Sequence, residues 1–107
     1  MITTKNWGYE ELIHNGKYCC KLLVYTKPGK SSSKHYHEKK HETFVVTSGR
    51  FLIQLDDEPP FVADKGISLV LPPLKVHRIT CIEPGVIVEA STTDDQDDCV
   101  RLVQSDA

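Results

Sequence analysis

At 107 residues with a net charge of −2, the chain has room for one hydrophobic core and not two, so one domain over residues 1–107 is expected, with any site inside it or between copies. Thirteen basic residues against fifteen acidic ones leave no basic run able to follow a phosphate backbone, which argues against a nucleic-acid partner. No stretch approaches the ~18 apolar residues of a membrane helix, and the opening MITTKNWGYEEL lacks the apolar segment of a secretory signal, so no membrane contact and a cytoplasmic location are expected.

In chain order, residues 1–4 read as a frayed start, and His14 falls in a polar turn (HNGK) and reads as solvated. Short β-branched, apolar runs follow at 18–26, 42–48, 50–55, 61–63, 67–71, 77–82, 86–90 and 100–104, broken by Gly, Pro, Asp and Ser. None carries a helical period. Short strands at such even spacing predict an all-β closed barrel or jelly roll, architectures that remove or protect sheet edges. The segment 92–98 (TTDDQDD) reads as a loosely ordered acidic loop before a last strand. Cys19 and Cys20 are adjacent on a predicted strand and so point to opposite faces. With Cys81 and Cys99 in other apolar strands, the four read as reduced thiols rather than disulfides.

The segment with chemistry is PGKSSSKHYHEKKHETFVVTSG, residues 28–49. On a strand, His35 and His37 are two apart and project to one face, with Tyr36 on the other, so two imidazoles converge. His41 precedes Glu42 by one residue and falls on the opposite face. Gly29, His35, His37, Glu42 and Gly49 fit the spacing Gly, five residues, His-x-His, four residues, Glu, six residues, Gly. This resembles the first motif of the cupin superfamily. The second motif is matched by Gly66, Pro72 and His77 in GISLVLPPLKVHR, with Leu74 where the family usually has glycine and Cys81 where it often has Asn.

The resemblance, over residues 18–91, implies a cupin jelly-roll β-barrel (double-stranded β-helix). It also implies one divalent metal ion, Zn, Mn, Fe, Ni or Co, held at the barrel mouth by His35, His37, Glu42 and His77. Three neutral nitrogens and a carboxylate suit a first-row divalent ion and leave positions open for water or a ligand. Phe44, Val46, Leu69 and Ile79 are expected to line the barrel below. A homodimer is expected too, because a small barrel leaves edge strands and the last strand is apolar.

Within the superfamily, KNWGYEEL, Pro28-Gly29, Glu42, Val76-His77-Arg78 and the acidic loop before a final strand resemble the cupin domain of type II mannose-6-phosphate isomerases. The chain departs from that family with His35 in place of Gln, Lys40 in place of Arg, and Thr43-Phe44 in place of His-Trp. The implied partner is a small molecule such as a sugar phosphate, and the implied reaction is aldose–ketose interconversion. Lys34, Lys40 and Arg50 are the candidate phosphate anchors, and Gln54 is a further candidate for substrate contact. Arg78 should point away from the metal by parity, and no residue stands out as the catalytic base. Two other readings stay open: a metal-dependent oxygenase, and a sensor that binds a small ligand without turnover.

Overall fold

The computed structural model describes residues 1–105. Eleven strands form two antiparallel sheets, and the only helical element among the described residues is a 3-10 turn at Gln96–Asp98. In chain order the strands are β1 (Ile2–Lys5), β2 (Gly8–Asn15), β3 (Tyr18–Tyr25), β4 (Lys34–His37), β5 (Glu42–Val46), β6 (Arg50–Leu55), β7 (Phe61–Asp64), β8 (Ser68–Leu71), β9 (His77–Glu83), β10 (Gly85–Thr92) and β11 (Cys99–Val103). One sheet runs β1-β2-β3-β10-β5-β8 and the other β11-β4-β9-β6-β7. This is the expected jelly roll. No described helix is long and apolar enough to cross a membrane.

The core follows from period-2 alternation. In β3, Cys19, Lys21, Leu23 and Tyr25 are buried, and their neighbours in sequence are less so. In β6 the inward residues are Phe51 and Ile53, which places Gln54 on the exposed side. Phe44, Val46, Leu69 and Ile79 belong to one buried cluster with Trp7, Tyr25, Phe51 and Ile87. The Trp7 and Tyr25 rings stack at 4.1 Å. All four cysteines are free.

Two segments differ from the sequence reading. Residues 1–4 are not a frayed start: β1 pairs with β2 from Ile2↔Glu11 to Lys5↔Gly8. The ladder's backbone hydrogen bonds hold this edge strand, and hydropathy does not register them. The acidic segment 92–98 is ordered as well. Thr92 ends β10, and Asp95 caps the 3-10 turn by accepting from the Asp97 N–H at 3.0 Å.

Leu74 adopts φ +70° at the position where a glycine was expected. The left-handed turn is therefore kept without the residue that suits it, at a steric cost of roughly 1–2 kcal/mol. The Leu74 N–H donates to the His37 carbonyl at 2.7 Å, tying the turn before β9 to β4. Its side chain is mostly exposed, so little packing offsets the strain. Leu74→Gly should stabilise the fold by about 1 kcal/mol, less the entropy glycine loses on folding. Chemical denaturation would read this as a higher midpoint; a lower midpoint would show that the strain is absent.

Candidate metal centre

Strand register places the histidines. His35 and His77 are cross-strand partners on β4 and β9, and side chains directly opposite one another share a face. His37 lies two residues beyond His35 and faces the same way. The three residues each offer a ligand atom, all within 4.8 Å of one another.

Ring orientation is fixed by the outer nitrogens. His77 Nδ1 lies 3.1 Å from the Lys75 carbonyl, and His35 Nδ1 lies 3.1 Å from the Ser33 carbonyl and 2.8 Å from its Oγ. A carbonyl only accepts, so Nδ1 carries the proton in both rings and the Nε2 lone pair is left for the site. His37 Nε2 stands 3.5 Å from Glu42 Oε1, and His77 Nε2 stands 3.6 Å from Glu42 Oε2. His37 Nδ1 is buried with no hydrogen-bond partner among the described residues.

Glu42 is also claimed from its other side. Lys40, which is 3% exposed, brings its Nζ to 3.3 Å from Glu42, 2.8 Å from Glu89 and 2.8 Å from Asp94. Lys21 continues the chain of charges, 3.0 Å from Asp94 and 3.6 Å from Glu10. The supposedly loose acidic segment is therefore the clasp of the site. Asp98 adds to it: its Oδ1 accepts from the N–H groups of Glu38 and Lys39 and its Oδ2 from Lys40, at 3.0–3.1 Å. These bonds hold the turn between His37 and Glu42.

The surroundings fix the charge states. Burial, then repulsion from the other imidazoles, lowers His35 to about 3. Burial, then the Lys40 ammonium, lowers His37 to about 4, and burial also lowers His77. All three are neutral near pH 7 and ready to donate lone pairs. Glu42 is pushed up to about 7 by burial and by the Glu89 charge, against the pull of Lys40. Burial alone would lower Lys40, but Glu89, Glu42 and Asp94 more than reverse it, and its pKa is raised. Asp94 falls to about 2 because bonds from Lys40 and Lys21 outweigh its own burial.

Of the other residues singled out from sequence, Lys40 lines the cavity above the histidines but is committed to three carboxylates. Lys34 is on β4 beside His35 and alternates to the other face. Arg50 pairs with Glu83 at the far end of the β6–β9 ladder, whose near end is Leu55↔His77, about 17 Å away at ~3.4 Å per residue. Gln54 is exposed and paired in register with Arg78. His41 and His14 are exposed. Glu89 and Lys21 escaped the sequence reading, although each is a lone charge at an inward position of an apolar strand, next but one to Ile87 and Leu23. That mismatch with the pattern was the available signal.

Residues 22–90 match the cupin domain family, which is more than half of the chain, and the protein belongs to that family. No curated protein matches the chain. Among solved structures, it resembles an RmlC-like cupin from Shewanella frigidimarina (19% identity, TM-score 0.78, covering 91% of this chain and 86% of that one). KdgF from Halomonas sp. is similar at 18% identity and TM-score 0.74, covering 83% and 81%. The capsular polysaccharide assembling protein CapF from Staphylococcus aureus is similar at 18% identity and TM-score 0.79, covering 96% of this chain but 31% of CapF.

The shifted groups dictate how the ion-free fold responds to acid. Unfolded, His35 and His37 take up protons near 6.5; folded, they do so only below about 3 and 4. The unfolded chain thus binds more protons in that window, and stability falls as pH drops through it. Glu42 acts in the opposite sense between its ordinary 4.5 and about 7, but it is one group against three histidines. The melting temperature of the chelator-stripped protein should fall between pH 6.5 and 4.5. A flat or rising profile in a thermal scan would contradict these charge states.

Proposed function

We propose that this one-domain cupin holds a single divalent metal ion with His35, His37, His77 and Glu42, and uses it on a small sugar-derived ligand. The observation that carries the reading is the convergence of three neutral imidazoles, His37 and His77 buried and His35 half-buried, with Glu42 3.5–3.6 Å from two of them. Charge supports it. Within the paired network beside the histidines, Lys21 and Lys40 are outnumbered by Glu10, Glu42, Glu89 and Asp94. A cation there would meet negative charge as well as the free imidazole lone pairs.

For the reaction, aldose–ketose interconversion of a sugar phosphate is the reading we favour, and the presence of a capsular polysaccharide assembling protein, CapF, among the structural relatives is consistent with it. A bound metal would supply Lewis acidity toward neighbouring carbonyl and hydroxyl oxygens. The chain's own residues would hold the ligand against the histidine face and keep Glu42 fixed through Lys40. The cavity volume of about 120 Å³ is several times the ~10–15 Å³ one water needs.

The test is metal titration of stripped protein, followed by reaction with mannose 6-phosphate. Wild type should bind one equivalent. His77→Ala and Glu42→Gln should weaken binding at least tenfold while far-UV circular dichroism stays that of a β fold, and His14→Ala should match wild type. Stoichiometric, wild-type affinity in His77→Ala would overturn the ligand set. Isomerisation should convert the sugar at constant mass without oxygen uptake; oxygen consumption would favour the oxygenase reading, and neither outcome a binding module.

We also propose a homodimer. Leu102 and Val103 on β11, an outer strand of the second sheet, are exposed, as is Val70 (73%) on β8 at an edge of the first. Apolar edges of this kind seek a second copy. Sedimentation at about tens of micromolar protein, where such an association should register, should give twice the chain mass; a monomer would refute it.

A further inference from the structure

The mouth of the cavity carries two cations that the charge network does not use. Arg101 is the cross-strand partner of His35 in the β11–β4 ladder, so its side chain starts on the same inward face as the histidines. It lines the cavity with them. Lys5 comes from the other sheet. It pairs with Gly8, and two residues back Thr3 pairs with Glu10, which lines the same cavity; Lys5 shares that face. The two walls meet where Asn6 Nδ2 donates to Ser105 Oγ at 3.1 Å.

Every other charge bordering the cavity is engaged. Lys21 and Lys40 are shared among Glu10, Glu42, Glu89 and Asp94, and Asp95 accepts from the backbone of its own turn. Lys5 and Arg101 have no ion pair or side-chain hydrogen bond among the described residues, and they approach from opposite walls. Two such cations facing one another across the histidine cluster fit an anion at the mouth, not a neutral or cationic group.

We infer that Lys5 and Arg101 form an anion subsite that grips the terminal carboxylate or phosphate of a small polyhydroxylated ligand, whose hydroxyl or carbonyl oxygens then reach the histidine trio. The inference rests on the metal-centre reading for the second half of that contact and on geometry alone for the first. It moves the anchor from Lys34, Lys40 and Arg50 to two residues from strands β1 and β11, at opposite ends of the chain. Recognition then depends on both sheets being held together at the mouth.

The experiment is a binding comparison on metal-loaded protein. Galacturonate and glucose 6-phosphate are titrated beside their neutral counterparts galactose and glucose, with the fluorescence of Trp7 as readout. Trp7 is the chain's only tryptophan and lines the same cavity. At least one anionic sugar should bind tenfold or more tightly than its neutral counterpart, and the tighter of the two identifies the anion as carboxylate or phosphate. In Lys5→Gln/Arg101→Gln that preference should shrink to within about twofold with bound metal unchanged, a charge effect that added salt should reproduce in wild type. Equal binding of charged and neutral sugars by wild type, no binding of any, or a double variant that keeps the preference would each overturn the subsite. Loss of metal from wild type would instead count against the metal centre and leave the charge comparison to be judged on its own result.

Discussion

The Lys40 ammonium is the point on which the site turns. It is a full charge placed out of water, tolerable only because Glu42, Glu89 and Asp94 surround it within 3.3 Å. Removing one member of such a group leaves uncompensated buried charge, a loss on the order of 3–5 kcal/mol. The three carboxylates come from β5, β10 and the segment after β10, so satisfying one lysine fixes three parts of the chain against the β4–β5 turn. The same turn is gripped through its backbone by Asp98, from just before β11. The acidic segment does the work that a disulfide does in other small domains.

From that clasp the character of the proposed metal centre follows. Glu42 is held between a cation and two imidazoles, so one carboxylate belongs both to the structural network and to the chemical face. The histidines on the opposite side, two of them buried and His35 half-buried, stay unprotonated near neutral pH, and two of them are oriented by backbone carbonyls. A rigid neutral face beside a negative network is preorganised for a dication. Lys5 and Arg101, which have no ion pair among the described residues, border the same cavity and form the anion subsite proposed above.

Much of this was legible in the sequence, and for a simple reason. Strand parity is a local rule, so alternation gave the all-β fold, inward core positions of β5, β8 and β9, and the common face of His35 and His37. The spacing that resembles the cupin motifs added Glu42 and His77 as candidates, and the family assignment stands. Leu74 shows how such spacing can outlast its usual residue: the turn keeps a left-handed conformation with a side chain that resists it, because its N–H is needed by the His37 carbonyl.

What only the tertiary structure decided were the pairings between segments far apart in the chain. Lys40 looked like a free cation able to hold phosphate, since nothing local reveals that Asp94, 54 residues later, arrives to neutralise it. The run TTDDQDD looked loose because Asp94 and Asp98 find their charged and backbone partners across the fold, in Lys21, Lys40 and the N–H groups of residues 38–40. Residues 1–4 looked frayed because ladder hydrogen bonds leave no trace in hydropathy. Lys5 and Arg101 were indistinguishable from solvated surface charges until register placed them over one cavity. Parity along a strand is written in the sequence; which charge meets which, at separations of tens of residues, is settled by the packing of two sheets.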